Sequence, residues 1–155
     1  MLVIDTREKP KAIAGIEAYL RNQQIPSIHS KLIVGDYMLY DKPHRVIDRK
    51  QYVSELAKNC TADHKRFKAE LDLARDLGVE LIILVEQDRY YDRGNCVMLR
   101  TIDDLMLWSD PYMTVRGEQV YRILSSWTHK YNIRIEFCRK CDTGRRIMEI
   151  LNDER

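Results

Sequence analysis

The segment Val79–Glu86, VELIILVE, is apolar without a break from Leu81 to Val85 and carries no alternation of polar and apolar residues. A strand with one wet face alternates with period two, so a strand apolar on both faces needs cover on both. The run predicts a central strand with helices above and below it, and the rest of the chain supplies candidates. Behind Pro10, which suits the first turn of a helix, Ile13, Ile16 and Leu20 recur at helical spacing as far as Gln23, ahead of Ile25-Pro26. Phe67, Leu71, Ala74 and Leu77 share one face over Ala62–Leu77, and Gly78 ends that helix. Asp103 and Asp104 open a short helix carrying Leu105 and Trp108. Val120, Ile123, Leu124, Trp127 and Tyr131 mark a longer one, and Ile147, Ile150 and Leu151 a closing one.

The remaining apolar runs are short. Leu2–Asp5 reads as a buried strand with a polar tip. Ser27–Leu32, Asp36–Tyr40 and Arg45–Arg49 read as three successive strands, the last two joined by a turn at Asp41–His44, and Asn132–Cys138 as a final strand. The order βαβββαβ(α)αβα predicts an α/β fold in which a mixed central β-sheet is flanked by helices. With 155 residues and no repeat, low-complexity tract or Gly/Ser linker, the chain reads as one domain over residues 1–155.

Charge is nearly balanced, 26 Lys and Arg against 24 Asp and Glu, so any affinity for nucleic acid has to come from local clusters. Four scattered cysteines suit a reducing compartment. No signal peptide is seen and no apolar run approaches the roughly 20 residues of a membrane span, so a cytoplasmic protein without membrane contact is expected.

The chemistry concentrates in Val34–Lys50, VGDYMLYDKPHRVIDRK. Residues i and i+2 of a strand share a face, so Asp48 and Lys50 project together while Arg49 points away. Asp36 comes up the partner strand and reaches that face opposite Asp48 only if the hairpin loop holds an odd number of residues, such as Asp41–Pro43. Two converging carboxylates repel and call for a counter-charge, which a hard divalent cation with oxygen ligands supplies. A lysine beside such a cation can position or activate a water. Together these meet the needs of metal-assisted phosphodiester hydrolysis. The plainer alternative is a solvated hairpin with alternating charges.

VIDTRE near the start, then VGDY, a turn, and VIDRK together resemble the nuclease domain of the XPF family, a branch of the PD-(D/E)xK superfamily. The helix with Arg66-Phe67 and Glu70-Leu71 and the strand LIILVE are similar to the segment that follows these motifs. The likeness covers Leu2–Glu86 well and the rest in outline. It implies a restriction-endonuclease-like fold and a DNA endonuclease dependent on Mg²⁺ or Mn²⁺, with no organic cofactor. Carried onto this chain, it implies Asp36 and Asp48 as principal metal ligands, the backbone carbonyl of Arg49 as a third, Asp5 as the first acid completing the cluster, and Lys50 as the residue serving the water. Arg7 and Glu8 match the Arg-Glu after that acid and join the candidate site. Two positions depart from the family pattern: Asp48 stands where the family has Glu, and Ser54, with Glu55 beside it, where an acid is usual. The short length resembles stand-alone bacterial and phage forms without helix-hairpin-helix motifs, and a homodimer is implied by resemblance alone. A catalytically silent module that binds DNA or a protein partner is the alternative from another class.

Candidate DNA contacts are Arg7, Tyr37, Lys42, Arg45, Lys65 and Arg66, with Lys58, His44, His64 and Lys68 nearby, against the reading of a solvated helix face. Tyr90 and Tyr91 form a pair that either stacks on unpaired bases or packs within the domain. Cys138 and Cys141 have Cys-x-x-Cys spacing, but neither Cys60 nor Cys96 has a paired neighbour to complete a zinc site. Trp108, Trp127 and Tyr131 read as core or as part of a dimer surface.

Overall fold

The computed structural model describes residues 1–87 and 98–154 in full and the backbone of 90–92 and 95–97, so the reading of the Tyr90 and Tyr91 side chains lies outside the described residues. The elements run β1 (Leu2–Ile4), α1 (Pro10–Asn22), β2 (Ser27–His29), β3 (Tyr37–Leu39), β4 (Lys42–Lys50), α2 (Val53–Cys60), α3 (His64–Asp76), β5 (Glu80–Gln87), β6 (Tyr90–Asp92), β7 (Asn95–Val97), α4 (Gly117–Lys130), β8 (Ile133–Arg139) and α5 (Thr143–Asn152). The short helix expected near Asp103 is a 3₁₀ turn, Ile102–Leu107, closed by a capping box between Thr101 and Asp104. No helix among the described residues is long and apolar enough to cross a membrane.

Six strands form one mixed sheet in the order β2-β1-β3-β4-β5-β8, with β6 and β7 as a separate hairpin. β3 runs antiparallel to β1 and β4, while β4, β5 and β8 are parallel to one another. Alternate residues of β5 feed two cores. Leu81, Ile83 and Val85 pack with α2, α3 and α4, whereas Ile82 and Leu84 pack with α1 and α5. All five are fully buried, each worth about 1.5–3 kcal/mol relative to exposure. Trp108, Trp127 and Tyr131 belong to the first of these cores.

α2 was not expected. Its buried residues Val53, Leu56, Ala57 and Cys60 do follow helical spacing, but over only eight residues.

The hairpin between β3 and β4 differs from the expected odd loop. The turn is the two-residue Tyr40–Asp41, pairing Leu39 with Lys42, and three further residues, Pro43–Arg45, then bulge out so that Met38 meets Val46 and Tyr37 meets Ile47. Proline has no N–H to give to a ladder, which favours the bulge here. A two-residue turn alone would bring Asp36 opposite Arg45. The bulge shifts the register by three and puts Asp36 in line with Asp48, so the parity argument holds by another route.

Gly35, just before Asp36, has φ +70°, and a Cβ there would run into Val46 Cγ1 and stand 2.9 Å from the Ile47 carbonyl oxygen. Gly35→Ala is expected to cost about 3 kcal/mol, the sum of a left-handed backbone on a non-glycine residue and overpacking. A urea melt checks it, and wild-type stability would contradict the close approach.

Candidate active site

β4 ends in Asp48-Arg49-Lys50, where the sheet delivers charge to both of its faces. Asp48 and Lys50 point to the α3 side, as their i, i+2 spacing requires. Lys50 Nζ lies 2.7 Å from Asp48 Oδ2 and 3.1 Å from Oδ1. It also sits 4.9 Å from the centroid of the Phe67 ring on α3. Both side chains are buried. Burial works against the Lys50 charge, but Asp48, with Glu70 and Glu55 beyond it, outweighs that and raises its pKa, so the ammonium persists.

Asp36 is half-buried, and its Oδ2 accepts the Arg49 backbone N–H at 2.8 Å. Burial and then the nearby Asp48 charge push its carboxyl well above the usual carboxylate range. Asp48 Oδ2 is buried against the Lys50 ammonium at 2.7 Å. Two acids that repel are a donor set suited to a hard cation, with Lys50 now holding the place of positive charge beside Asp48. Among the described residues, no three His, Cys, Asp or Glu side chains are gathered at ligand distance as they stand.

On the α1/α5 side Arg49 is fully enclosed. Its guanidinium contacts Glu8 at 2.7 Å and Glu86 at 3.1 Å. Glu8 also accepts the Tyr37 hydroxyl at 2.5 Å, and Glu86 accepts the Thr143 hydroxyl at 2.8 Å. Glu8 thus stands beside the acids but braces the strand. Burial raises the Glu86 carboxyl, with Arg49 pulling the other way.

Asp5 lies beside Asp36 in the backbone, its N–H donating to the Asp36 carbonyl at 2.8 Å. Both carboxylate oxygens are taken: Oδ1 by the Arg7 N–H and Nε at 2.7 and 2.6 Å, Oδ2 by the Leu32 N–H at 2.6 Å. Burial opposes its ionisation, yet these donors prevail and hold it below its ordinary value. Its oxygens anchor the loop that leads to Gly35. Arg7 completes the anchor by reaching the carbonyls of Leu32 and Gly35 at 3.4 and 3.3 Å. Glu55 caps the Gln51 N–H at 2.8 Å.

Two expected DNA contacts, Arg45 and Tyr37, are corrected. Arg45 is buried, with Nε on Glu80 at 2.5 Å and Nη1 on the Ile150 carbonyl at 3.0 Å, so its charge closes the α5 end. Tyr37 is a fully buried core residue. Lys42 begins β4 at the hairpin turn opposite Leu39, three strand steps or roughly 10 Å along the sheet from the level of Asp36 and Asp48. Arg7 pairs with Asp5 while its side chain stays 60% exposed. Lys65 and Arg66 are exposed on the first turn of α3, where a phosphate can reach them. Cys138 is a buried thiol that burial pushes up to about 11, and Cys141 is exposed in the turn beyond β8; both are free.

Glu70 is a further acid near this site, accepting the Gly35 N–H at 3.4 Å. It lies on the inner face of α3 among Phe67, Leu71 and Ala74. An apolar concavity of about 610 Å³, lined by Ile28, Met38 and Val46 among others, holds none of these acids.

The family model of the ERCC4 domain matches residues 4–147. No curated protein matches the chain. Two solved structures are similar. XPF from Aeropyrum pernix aligns with a TM-score of 0.65 and 19% identity over 97% of this chain and 59% of that one. XPF from Aeropyrum pernix in complex with DNA aligns with a TM-score of 0.67 and 16% identity over 97% and 62%. The chain spans about three-fifths of the length of these structures, and the likeness bears out the mixed-sheet, restriction-endonuclease-like fold.

Proposed function

As the chain belongs to the ERCC4 domain family, we propose that it is a metal-dependent DNA endonuclease that hydrolyses phosphodiester bonds, selecting forked, flapped or junction DNA in repair, recombination or phage DNA processing. The observation that carries this reading is the Asp36–Asp48 pair beside Lys50 at the open end of β4. DNA bound to the Aeropyrum pernix XPF chain supports DNA as the partner. A homodimer is part of the same proposal, as is action within the cytoplasm.

Asp36 and Asp48 would hold Mg²⁺ or Mn²⁺, with the Arg49 carbonyl as a further candidate ligand. When bound, the cation polarises the phosphodiester and makes a water acidic enough to attack it. The chain's own residues do the rest. The Lys50 ammonium, held between Asp48 and Phe67, donates to the attacking water or to the phosphate oxygen on which charge accumulates. The Arg49 N–H fixes the Asp36 carboxylate, and the ion pairs of Arg49 keep the strand end rigid on the far face. Lys65 and Arg66 offer charge to the DNA backbone.

A silent DNA- or protein-binding module is the second reading. It is favoured by the way Lys50 already neutralises Asp48 and by the spacing of the acids. The test is cleavage of labelled duplex, single-stranded, forked and four-way DNA with Mg²⁺ or Mn²⁺. Cutting that stops when a chelator is added is the expected result. Binding without cutting, in either metal, would favour the silent module.

A further inference from the structure

We propose that Arg7 holds a DNA phosphate beside the bond to be cut, and that Asp5 is the positioning residue that aims it. The inference rests on the endonuclease reading above and gives the segment around Asp5 and Arg7 a task at the same site.

Arg7 is an exposed arginine tied to a buried acid. Its side chain is 60% accessible and that of Asp5 0%. A guanidinium carries five N–H donors. Nε donates to Asp5 Oδ1 at 2.6 Å and Nη2 to Oδ2 at 3.1 Å, the planar fork that matches a carboxylate. Nη2 also reaches the Leu32 and Gly35 carbonyls at 3.4 and 3.3 Å. Nη1 donates to no acceptor among the described residues. One edge of the fork is thus spent on the anchor, and in a side chain this exposed the two N–H groups of Nη1 remain for an acceptor from outside.

Position and charge make that acceptor a phosphate. Gly35, whose carbonyl Arg7 reaches, directly precedes Asp36, and the Asp5 N–H donates to the Asp36 carbonyl at 2.8 Å. A phosphodiester brought to Asp36 therefore passes the Arg7 guanidinium. The acids gathered here repel such a group, and the Lys50 ammonium is already drawn to Asp48. The hydrogen bond to Asp5, ahead of the charges of Asp36 and Glu70, fixes the Arg7 charge more firmly still. A donor whose side chain is already held in place loses little freedom on binding. With both oxygens used by Arg7 and the Leu32 N–H, Asp5 acts through the arginine it orients.

The test is DNA binding by the metal-free protein in EDTA, followed by fluorescence anisotropy of a forked oligonucleotide. In a set of otherwise identical forks, one phosphate near the branch is replaced by an uncharged methylphosphonate. For the wild type, neutralising one of these phosphates is expected to weaken binding by about tenfold or more, the scale of a charge-assisted hydrogen bond. Arg7→Gln, whose amide can still donate to Asp5, is expected to lose the same factor on unmodified DNA and to be indifferent to that methylphosphonate. Its salt dependence should fall by about one phosphate contact. Loss of the loop anchor alone would weaken binding without singling out one phosphate. Asp5→Asn is expected to weaken binding as well, and the double variant Asp5→Asn, Arg7→Gln to bind no worse than Arg7→Gln. Melting curves check that each variant is folded, and Arg7→Met takes the place of Arg7→Gln should the latter not fold. Equal sensitivity of wild type and variant at every phosphate, or a wild type that binds and responds to none, overturns the assignment of Arg7 and leaves the endonuclease reading standing. Additive losses in the double variant overturn the positioning role of Asp5. A wild type that binds no DNA overturns the phosphate site and the DNA reading together.

Discussion

Lys50→Met is expected to lower DNA cleavage by about 10³-fold while leaving Mn²⁺ binding intact or tighter. The size follows from what the ammonium does, since a single positioned donor or proton-transfer group at a reacting centre is typically worth about 10²–10⁴ in rate. The second half follows from its partner. Lys50 is the cation now 2.7 Å from Asp48, and both are buried, so its loss leaves Asp48 to seek another positive charge. Without metal, the variant should lose about 3 kcal/mol of stability, the usual cost of orphaning one member of a buried pair. Added Mn²⁺ should return much of that loss by mass action, and it should not return cleavage. Asp36→Ala gives the contrasting pattern, losing both Mn²⁺ binding and cleavage. Urea melts with and without MnCl₂, run beside a cleavage time course, separate the two. A Lys50→Met protein that still cuts at the wild-type rate would make the lysine a permanent counter-ion and favour the silent module.

The parts of the fold legible in the sequence are those with a local physical cause. VELIILVE announces a strand covered on both faces because no alternation is present to permit a wet side, and β5 feeds two cores. Asp48 and Lys50 meet because pleating forces i and i+2 together. The register of the hairpin was harder to see. Whether Pro43–Arg45 forms a loop or a bulge depends on whether Leu39 pairs with Lys42 at once, a competition that composition does not decide. Arg45 and Tyr37 were misread as DNA contacts for a different reason. A cation or a phenol near an acidic motif looks like a ligand group, but the partners that bury Arg45 are Glu80 and the α5 carbonyls, far away in sequence. Tyr37 shares its strand parity with Leu39 and faces Ile47, and that pattern carried the correct answer.

Arg49→Met is expected to destabilise the protein by about 3–5 kcal/mol, more than any other single change outside the apolar core considered above. The methionine fills a comparable volume but leaves Glu8 and Glu86 facing one another with no cation between them. Tyr37 and Thr143 still donate to these two carboxylates, yet a hydroxyl cannot offset a full buried charge. The sign of the pH dependence follows. The Glu86 carboxyl already sits above its ordinary 4.5 because it is buried, and Arg49 is the first of the influences that hold it down. Removing Arg49 raises it further, so the folded protein binds that proton more tightly than the unfolded chain does. Stability is therefore lost as pH rises from the unfolded carboxylate value through the raised folded one, and the deficit is largest at neutral pH and shrinks on acidification. Urea melts at pH 7 and pH 5 measure the difference. The double variant Arg49→Met, Glu86→Gln should recover part of the loss at neutral pH, because the charge that lacked a partner has gone. A double variant no more stable than Arg49→Met alone would mean that the guanidinium acts through packing and not through its charge. In that case the rigidity of the strand end beneath Asp48 and Lys50 would have to come from the sheet itself.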